Sequence, residues 1–323
     1  MKHLEMESIL TIDSRSYHLF GNTNLPGIFA LQDHHYGYDK DFRNELLEKL
    51  ESRQHTILTH FVVDEKIKKN YPHLHFKFSA DMQDKINLRH FINYKKQPQI
   101  NYKNFICSFN GSPHIGRQLL TSILYNQGLF NSEYCTKNFR KSKDEILGHL
   151  NYLDLTEDEV ELYDKFFNTK EMFEHTVYSF SYTRYEHDKN IYNLESKLTQ
   201  SFVNIISESM STSYYPFVTE KFLYSVVTRG LFVCYAQLGW HAHLEKYYGF
   251  KLYDKIFDYS FDSIDNPVKR LVKLIEMISK FSRLSLDDLR DLYSLLEKDT
   301  IEFNYDHYYS GDYLKHLAQF DGL

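Results

Sequence analysis

Five residues in one short span carry most of the chemistry this sequence offers: Glu208, Ser209, Thr219, Glu220 and Lys221. Apolar runs flank them, Phe202 to Ile206 on one side and Leu231 to Tyr235 on the other. Runs of this kind, bounded by turn residues, read as strands. Between them Phe222 and Val226, and Leu223 and Val227, are spaced four apart and make one apolar helical stripe. Thr219 stands where a helix N-cap would stand, with Glu220 and Lys221 in the first turn. The order strand, loop, helix, strand puts that turn at the carboxyl end of a parallel strand, where α/β proteins bind ligands. A helix N-terminus offers free N–H groups and a positive dipole end to a phosphate. Lys221 adds a full positive charge, and Glu220 is an acceptor for paired ribose hydroxyls. Together these groups suit a sugar nucleotide.

A second constellation lies near the amino terminus. Asp33, His34 and His35 follow the apolar run Ile28 to Leu31. Adjacent histidines on a strand point to opposite faces and do not easily share an ion, so no metal site is assigned there. A carboxylate at a strand end can take the proton of an attacking hydroxyl. Asp33 is the candidate general base with His34 behind it, against the alternative of an ordinary turn. His241 and His243 either flank a bound base or sugar or are satisfied histidines of the core or surface. Asp258 and Asp262 read as turn caps.

The order Glu208-Ser209, loop, Phe217-Val218-Thr219-Glu220-Lys221 resembles the donor-binding signature of the α-1,3-fucosyltransferase-like glycosyltransferases, and more so that of their relatives in phages and large viruses. The resemblance runs from about residue 104 to 305, through Gly239, Gly249-Phe250 and the run Phe257 to Asp262. It implies a GT-B-like α/β fold, with two Rossmann-like domains facing across a cleft and helices at the carboxyl end. It also implies an inverting transfer from a nucleoside-diphosphate sugar, GDP- or UDP-linked, to a saccharide or other hydroxyl acceptor. In that family the glutamate holds the ribose and the lysine the phosphates, which map onto Glu220 and Lys221. An arginine near the first helix of the second domain faces the donor phosphates, and Arg117 matches it. The run Asp299 to Tyr305 matches a strap between domains. No Asp-x-Asp stands where a metal-dependent single-domain enzyme needs one, which agrees with a reaction that requires no cofactor.

The elements that must position these groups read as two units. Short strands are expected at Ser8 to Ile12, Gly27 to Leu31, His55 to Val63 and Leu74 to Phe78, with a helix at Asp41 to Ser52. The polar segment Lys95 to Asn101, which holds Pro98, is the expected junction, dividing the chain into 1–98 and 99–323. The second unit opens with a strand at Asn104 to Phe109 and a helix at His114 to Gln127. Thr156 to Asn168 resembles a capped helix and Tyr178 to Arg184 a strand, while 136–200 is otherwise hard to read. Helices follow at Asp265 to Phe281, Ser285 to Glu297 and Gly311 to Gln319.

At 323 residues the chain is long enough for a full core. The three cysteines, Cys107, Cys135 and Cys234, are far apart and show neither metal nor redox spacing, which points to the cytoplasm, a host's for a viral protein. No apolar run approaches a membrane span, and no signal sequence opens the chain. The net charge of −6 argues against general nucleic-acid binding. A phage-type transferase acting on modified DNA is the alternative, with Arg89, His90, Lys95, Lys96 and Lys103 as its only basic strip. A non-catalytic nucleotide-sugar-binding protein is the other.

Overall fold

The computed structural model describes residues 9–12, 28–31, 55–59, 68–69, 72, 74–111, 115–136, 186–208, 216 and 218–321. The fold is α/β. Strands β1 (Ile9–Ile12), β2 (Ile28–Leu31), β3 (His55–Thr59) and β4 (Leu74–Phe78) form one sheet in that order, every pair parallel. All four expected strands are present, although β3 ends at Thr59 where the described residues stop.

A second parallel sheet carries the region of interest. Its strands are β5 (Asn104–Cys107), β6 (Ser201–Ser207) and β7 (Leu231–Tyr235), in that order. The sequence of β6 explains its place. Parallel strands covered on both faces read as continuous apolar runs, and every residue of β6 and β7 is buried. Ser108 adds a parallel bridge to Cys135 on the outer side of β5. The backbone N–H of Ser108 donates to Tyr134 O, and that of Thr136 to Ser108 O. In space the order is therefore the Cys135 segment, β5, β6, β7. The chain leaves β5 to one side, then returns past it to build β6 on the other. That reversal makes a topological switch point between β5 and β6, and a crevice opens at the carboxyl ends of such strands.

The helices after β5 are α1 (Ile115–Asn126), α2 (His187–Gln200), α3 (Lys221–Val227), α4 (Trp240–Tyr248), α5 (Pro267–Ser279), α6 (Leu286–Leu296), α7 (Phe303–Tyr309) and α8 (Asp312–Ala318), of which α1, α2, α3 and α5 pack on the sheet. Their ends follow local rules. Asn266 accepts from the N–H groups of Val268 and Lys269, with Pro267 opening α5. Ser285 and Asp288 form a capping box at α6. Gly249 ends α4 at φ +73°, and a methyl added there would come within 2.9 Å of His307 Nε2. Only glycine meets both demands.

The aromatic core sits under α3 and α4. The Phe222 ring packs edge-on against Phe250 at 5.0 Å and against Trp240 at 6.2 Å. The helical stretch 80–91 after β4 is tied to the carboxyl-terminal helices. Tyr308 Oη donates to Leu88 O at 2.8 Å and accepts from Phe91 N, while Tyr313 Oη donates to Asp84. Gln83 Nε2 donates to Val218 O at 2.9 Å, next to Thr219. The expected elements at 41–52, 156–168 and 178–184 lie outside the described residues.

Candidate functional site

The pocket at the switch point is lined by Phe109 and Gly111 after β5, Arg117 of α1, His187 and Leu194 of α2, Asn204 and Ile206 of β6, and Glu220, Lys221 and Tyr224 around α3. It holds about 70 Å³, room for one small group, with its remaining side open. A larger groove of about 510 Å³ lies between Ile123 of α1 and Val272 and Ile275 of α5. α1 runs back from the carboxyl end of β5, so Ile123 sits toward the amino ends of the strands. Ligands of open α/β sheets bind at the carboxyl ends, and that favours the smaller site.

Its charges form a chain of contacts. Glu208 follows β6 directly and is fully buried. It accepts from Thr219 N at 3.2 Å, from Thr219 Oγ1 at 2.8 Å and from Lys221 Nζ at 3.0 Å. Lys221 Nζ also donates to Thr219 Oγ1 at 2.6 Å. An ammonium has three donors, so one remains for a ligand in the pocket. Glu220 Oε1 lies 3.7 Å from Lys221 Nζ and 3.7 Å from His187 Nε2. His187 Nδ1 and Tyr224 Oη are 3.0 Å apart. The nearby carboxylate favours the imidazole tautomer protonated on Nε2, in which the tyrosine hydroxyl donates to Nδ1. Arg117 is buried, and its Nε donates to Ser207 O at 3.3 Å.

Burial works against ionising Glu220, but Lys221 first and then His187 outweigh it and hold the carboxyl at about 2. Burial also lowers the His187 pKa, against the pull of Glu220, so the ring stays neutral at pH 7. Both shifts have one sign in stability. Each folded pKa lies below its ordinary value, so the stabilisation is complete above that value and is lost as pH falls. Loss begins below pH 6.5 for His187 and below 4.5 for Glu220. Glu220→Gln is expected to flatten the lower limb of a urea-midpoint profile between pH 4.5 and 2, and to lower stability at pH 7 by about 3 kcal/mol. An unchanged lower limb would contradict the Lys221–Glu220 ion pair. Glu220 is thus a structural partner as well as an acceptor, whereas the sequence presents it only as an acceptor.

Of the residues expected from sequence, Glu208, Thr219, Glu220, Lys221 and Arg117 come together here. Asp33, His34 and Ser209 lie outside the described residues. Thr219 does not cap α3. The helix starts at Lys221, Glu220 occupies the N-cap position, and no side chain caps it. The buried Glu208 carboxylate and the Lys221 ammonium bind the threonine hydroxyl by charge-assisted hydrogen bonds, which are stronger than a neutral cap. α3 is seven residues long, so charge at this end comes from side chains more than from its dipole.

His241 and His243 are core residues. His241 Nδ1 lies 2.9 Å from Asp262 Oδ1, and its Nε2 accepts from Cys234 N at 3.1 Å. The backbone N–H of His241 also donates to Asp262, so this aspartate anchors α4 and does not cap its own turn. Burial pushes His243 down to about 3 and keeps it neutral. Asp258 does cap its turn, accepting from Ser260 N. The basic strip considered for DNA is partly neutralised. Arg89 pairs with Asp84 at 3.4 Å and Lys96 with Glu195 at 3.0 Å.

His187 is a site residue that sequence reasoning missed. Ile191, Leu194 and Leu198 are buried on one face of α2, and their helical spacing was a usable signal. α2 passes from Gln200 straight into β6 at Ser201, without the Gly or Pro that usually marks such a boundary. At ~1.5 Å per residue α2 is about as long as β6 at ~3.3 Å per residue. Running back along the strand, it delivers His187 to the carboxyl end of β6.

These features define an α/β protein of Rossmann-compatible layout, with a charged crevice at a topological switch point. No protein-family model, no curated protein and no solved structure matches the chain. Among the described residues no helix is long and apolar enough to cross a membrane, and no group of three or more His, Cys, Asp or Glu could hold a metal ion.

Proposed function

We propose that this chain is a glycosyltransferase that moves a sugar from a nucleoside-diphosphate sugar to an acceptor hydroxyl. The observation that carries the reading is the convergence of Arg117, Lys221 and an ionised Glu220 at the switch point between β5 and β6. Two cations suit a diphosphate, and a neighbouring carboxylate suits ribose hydroxyls. In this reading the domains 1–98 and 99–323 are both Rossmann-like and face each other in a GT-B arrangement. The resemblance of Glu208-Ser209 and Thr219-Glu220-Lys221 to the fucosyltransferase-like signature supplies the reaction.

The step balances without a redox partner. A base takes the proton of the acceptor hydroxyl, and that oxygen bonds to the anomeric carbon from the face opposite the diphosphate. The bond to the diphosphate breaks, and its electron pair stays on the leaving oxygen, beside Lys221 and Arg117. Fixed positive groups at developing negative charge are a large source of catalysis. No metal or other cofactor is needed for this charge balance. Glu208 acts through Lys221, which it positions.

Calorimetric titration with a panel of GDP- and UDP-sugars tests the reading, with product analysis for released nucleoside diphosphate. Binding followed by transfer or slow hydrolysis is expected. Binding without turnover would make the chain a non-catalytic binder, and no binding to any donor or nucleoside diphosphate would reject the site.

A further inference from the structure

We infer that His187 and Glu220 together bracket one ribose hydroxyl of the ligand, which makes His187 a specificity-determining residue. The inference rests on the pocket being a nucleotide-sugar site. His187 Nε2 and Glu220 Oε1 are 3.7 Å apart, beyond hydrogen-bonding distance. Both residues line the pocket, and their side chains keep 10 % and 15 % of their surface exposed. Lys221 Nζ stands equally far from Glu220 Oε1, at 3.7 Å. Among the described residues no other side chain makes a hydrogen bond to the Glu220 carboxylate or to His187 Nε2. An ionised carboxylate calls for donors, and a largely buried N–H calls for an acceptor.

The histidine ring is held for this task from its other side. Its Nδ1 accepts from Tyr224 Oη at 3.0 Å. His90 packs against the ring with centroids 4.7 Å apart, and Phe91 packs against Tyr224 at 4.6 Å. The Nε2 proton therefore faces Glu220 across the gap. The pairing of one donor with one acceptor selects the ligand group. A phosphate oxygen is repelled by the carboxylate, and an ammonium offers Nε2 no acceptor. A hydroxyl is donor and acceptor at once. Placed about 2.8 Å from both atoms, it accepts from Nε2 and donates to Oε1. Lys221 follows Glu220 in the chain, so a phosphate held at Lys221 brings the adjoining ribose to Glu220. A site built around a hydroxyl rejects the analogue that lacks it, because its own polar groups then go unpaired.

The test is calorimetric titration of the full chain with GDP, UDP and their 2′-deoxy and 3′-deoxy forms, for the wild type, His187→Asn and His187→Gln. An asparagine amide reaches the place of Nδ1 and keeps the Tyr224 contact, but falls short of Nε2. A glutamine amide reaches the place of Nε2. The wild type is expected to prefer the ribonucleotide by at least about tenfold over one of the two deoxy forms. His187→Asn should cut that preference about fivefold, the worth of one neutral hydrogen bond, and His187→Gln should keep most of it. Should His187→Asn fail to fold, His187→Phe takes its place, since it keeps a ring against His90 and has no N–H. A variant that loses affinity for the ribose and deoxyribose forms alike gives His187 a purely structural role and overturns the inference. So does a variant whose ribose preference is unchanged, or one that alters only the choice between guanine and uracil. A wild type that binds nucleotides but prefers neither ribose hydroxyl overturns it too and leaves the donor site standing. If no nucleotide binds to the wild type, the donor reading itself has failed.

Discussion

Replacing Lys221 by alanine is expected to cost about 3–5 kcal/mol of folding stability, the usual result of stranding a buried charge. Glu208 is fully buried, and Lys221 Nζ, 3.0 Å away, is the cation that compensates it. Thr219 supplies two further donors, but neither is charged. Glu208→Gln with Lys221→Met removes both charges of this pair and should regain part of the stability, since a buried pair replaced whole is often neutral, while Glu220 still loses its lysine. Urea unfolding of Lys221→Met, Glu208→Gln and the double variant measures this coupling. A Lys221→Ala protein within about 0.5 kcal/mol of wild type would refute the buried pair. Where that variant folds, donor affinity should fall by a further ~1.5–3 kcal/mol, the range for a hydrogen bond to a charged group.

Asp33→Asn is expected to leave donor affinity intact and to reduce turnover about 100-fold or more, the scale of general-base removal. The argument starts from the other substrate. Phosphates held by Lys221 and Arg117 place the leaving group against the carboxyl-terminal unit, so an inverting attack comes from the opposite face of the sugar. The amino-terminal domain covers that face in the proposed arrangement, and Asp33 follows the carboxyl end of β2. Single-turnover transfer, measured beside calorimetric affinity, separates the two effects. If both quantities survive the substitution, the base lies elsewhere, and His34 is the next residue to replace.

How far the sequence exposed this site depends on what each signal measures. β6, α3 and β7 were legible because a parallel strand buried on both faces must be apolar throughout, and a short amphipathic helix must space its apolar residues by four. The grouping of Glu208, Thr219, Glu220 and Lys221 was legible for the same reason, since one strand and one turn carry all four. Their connectivity was not. A cap preference says that Thr219 suits a helix start, but only the fold brings a buried carboxylate within 2.8 Å of its hydroxyl. His187 was missed because it enters from a separate helix. His241 stayed open between site and core because its contact with Asp262 spans 21 positions. Long-range pairing of this kind has no local signature.

The most direct measurement is a crystal structure of the chain soaked with a nucleoside diphosphate or its sugar conjugate. The account predicts phosphate density in the crevice between β5 and β6, with an oxygen within hydrogen-bonding distance of both Lys221 Nζ and the Arg117 guanidinium. A nucleotide bound instead in the groove between α1 and α5, or density whose phosphates touch neither cation, would contradict it.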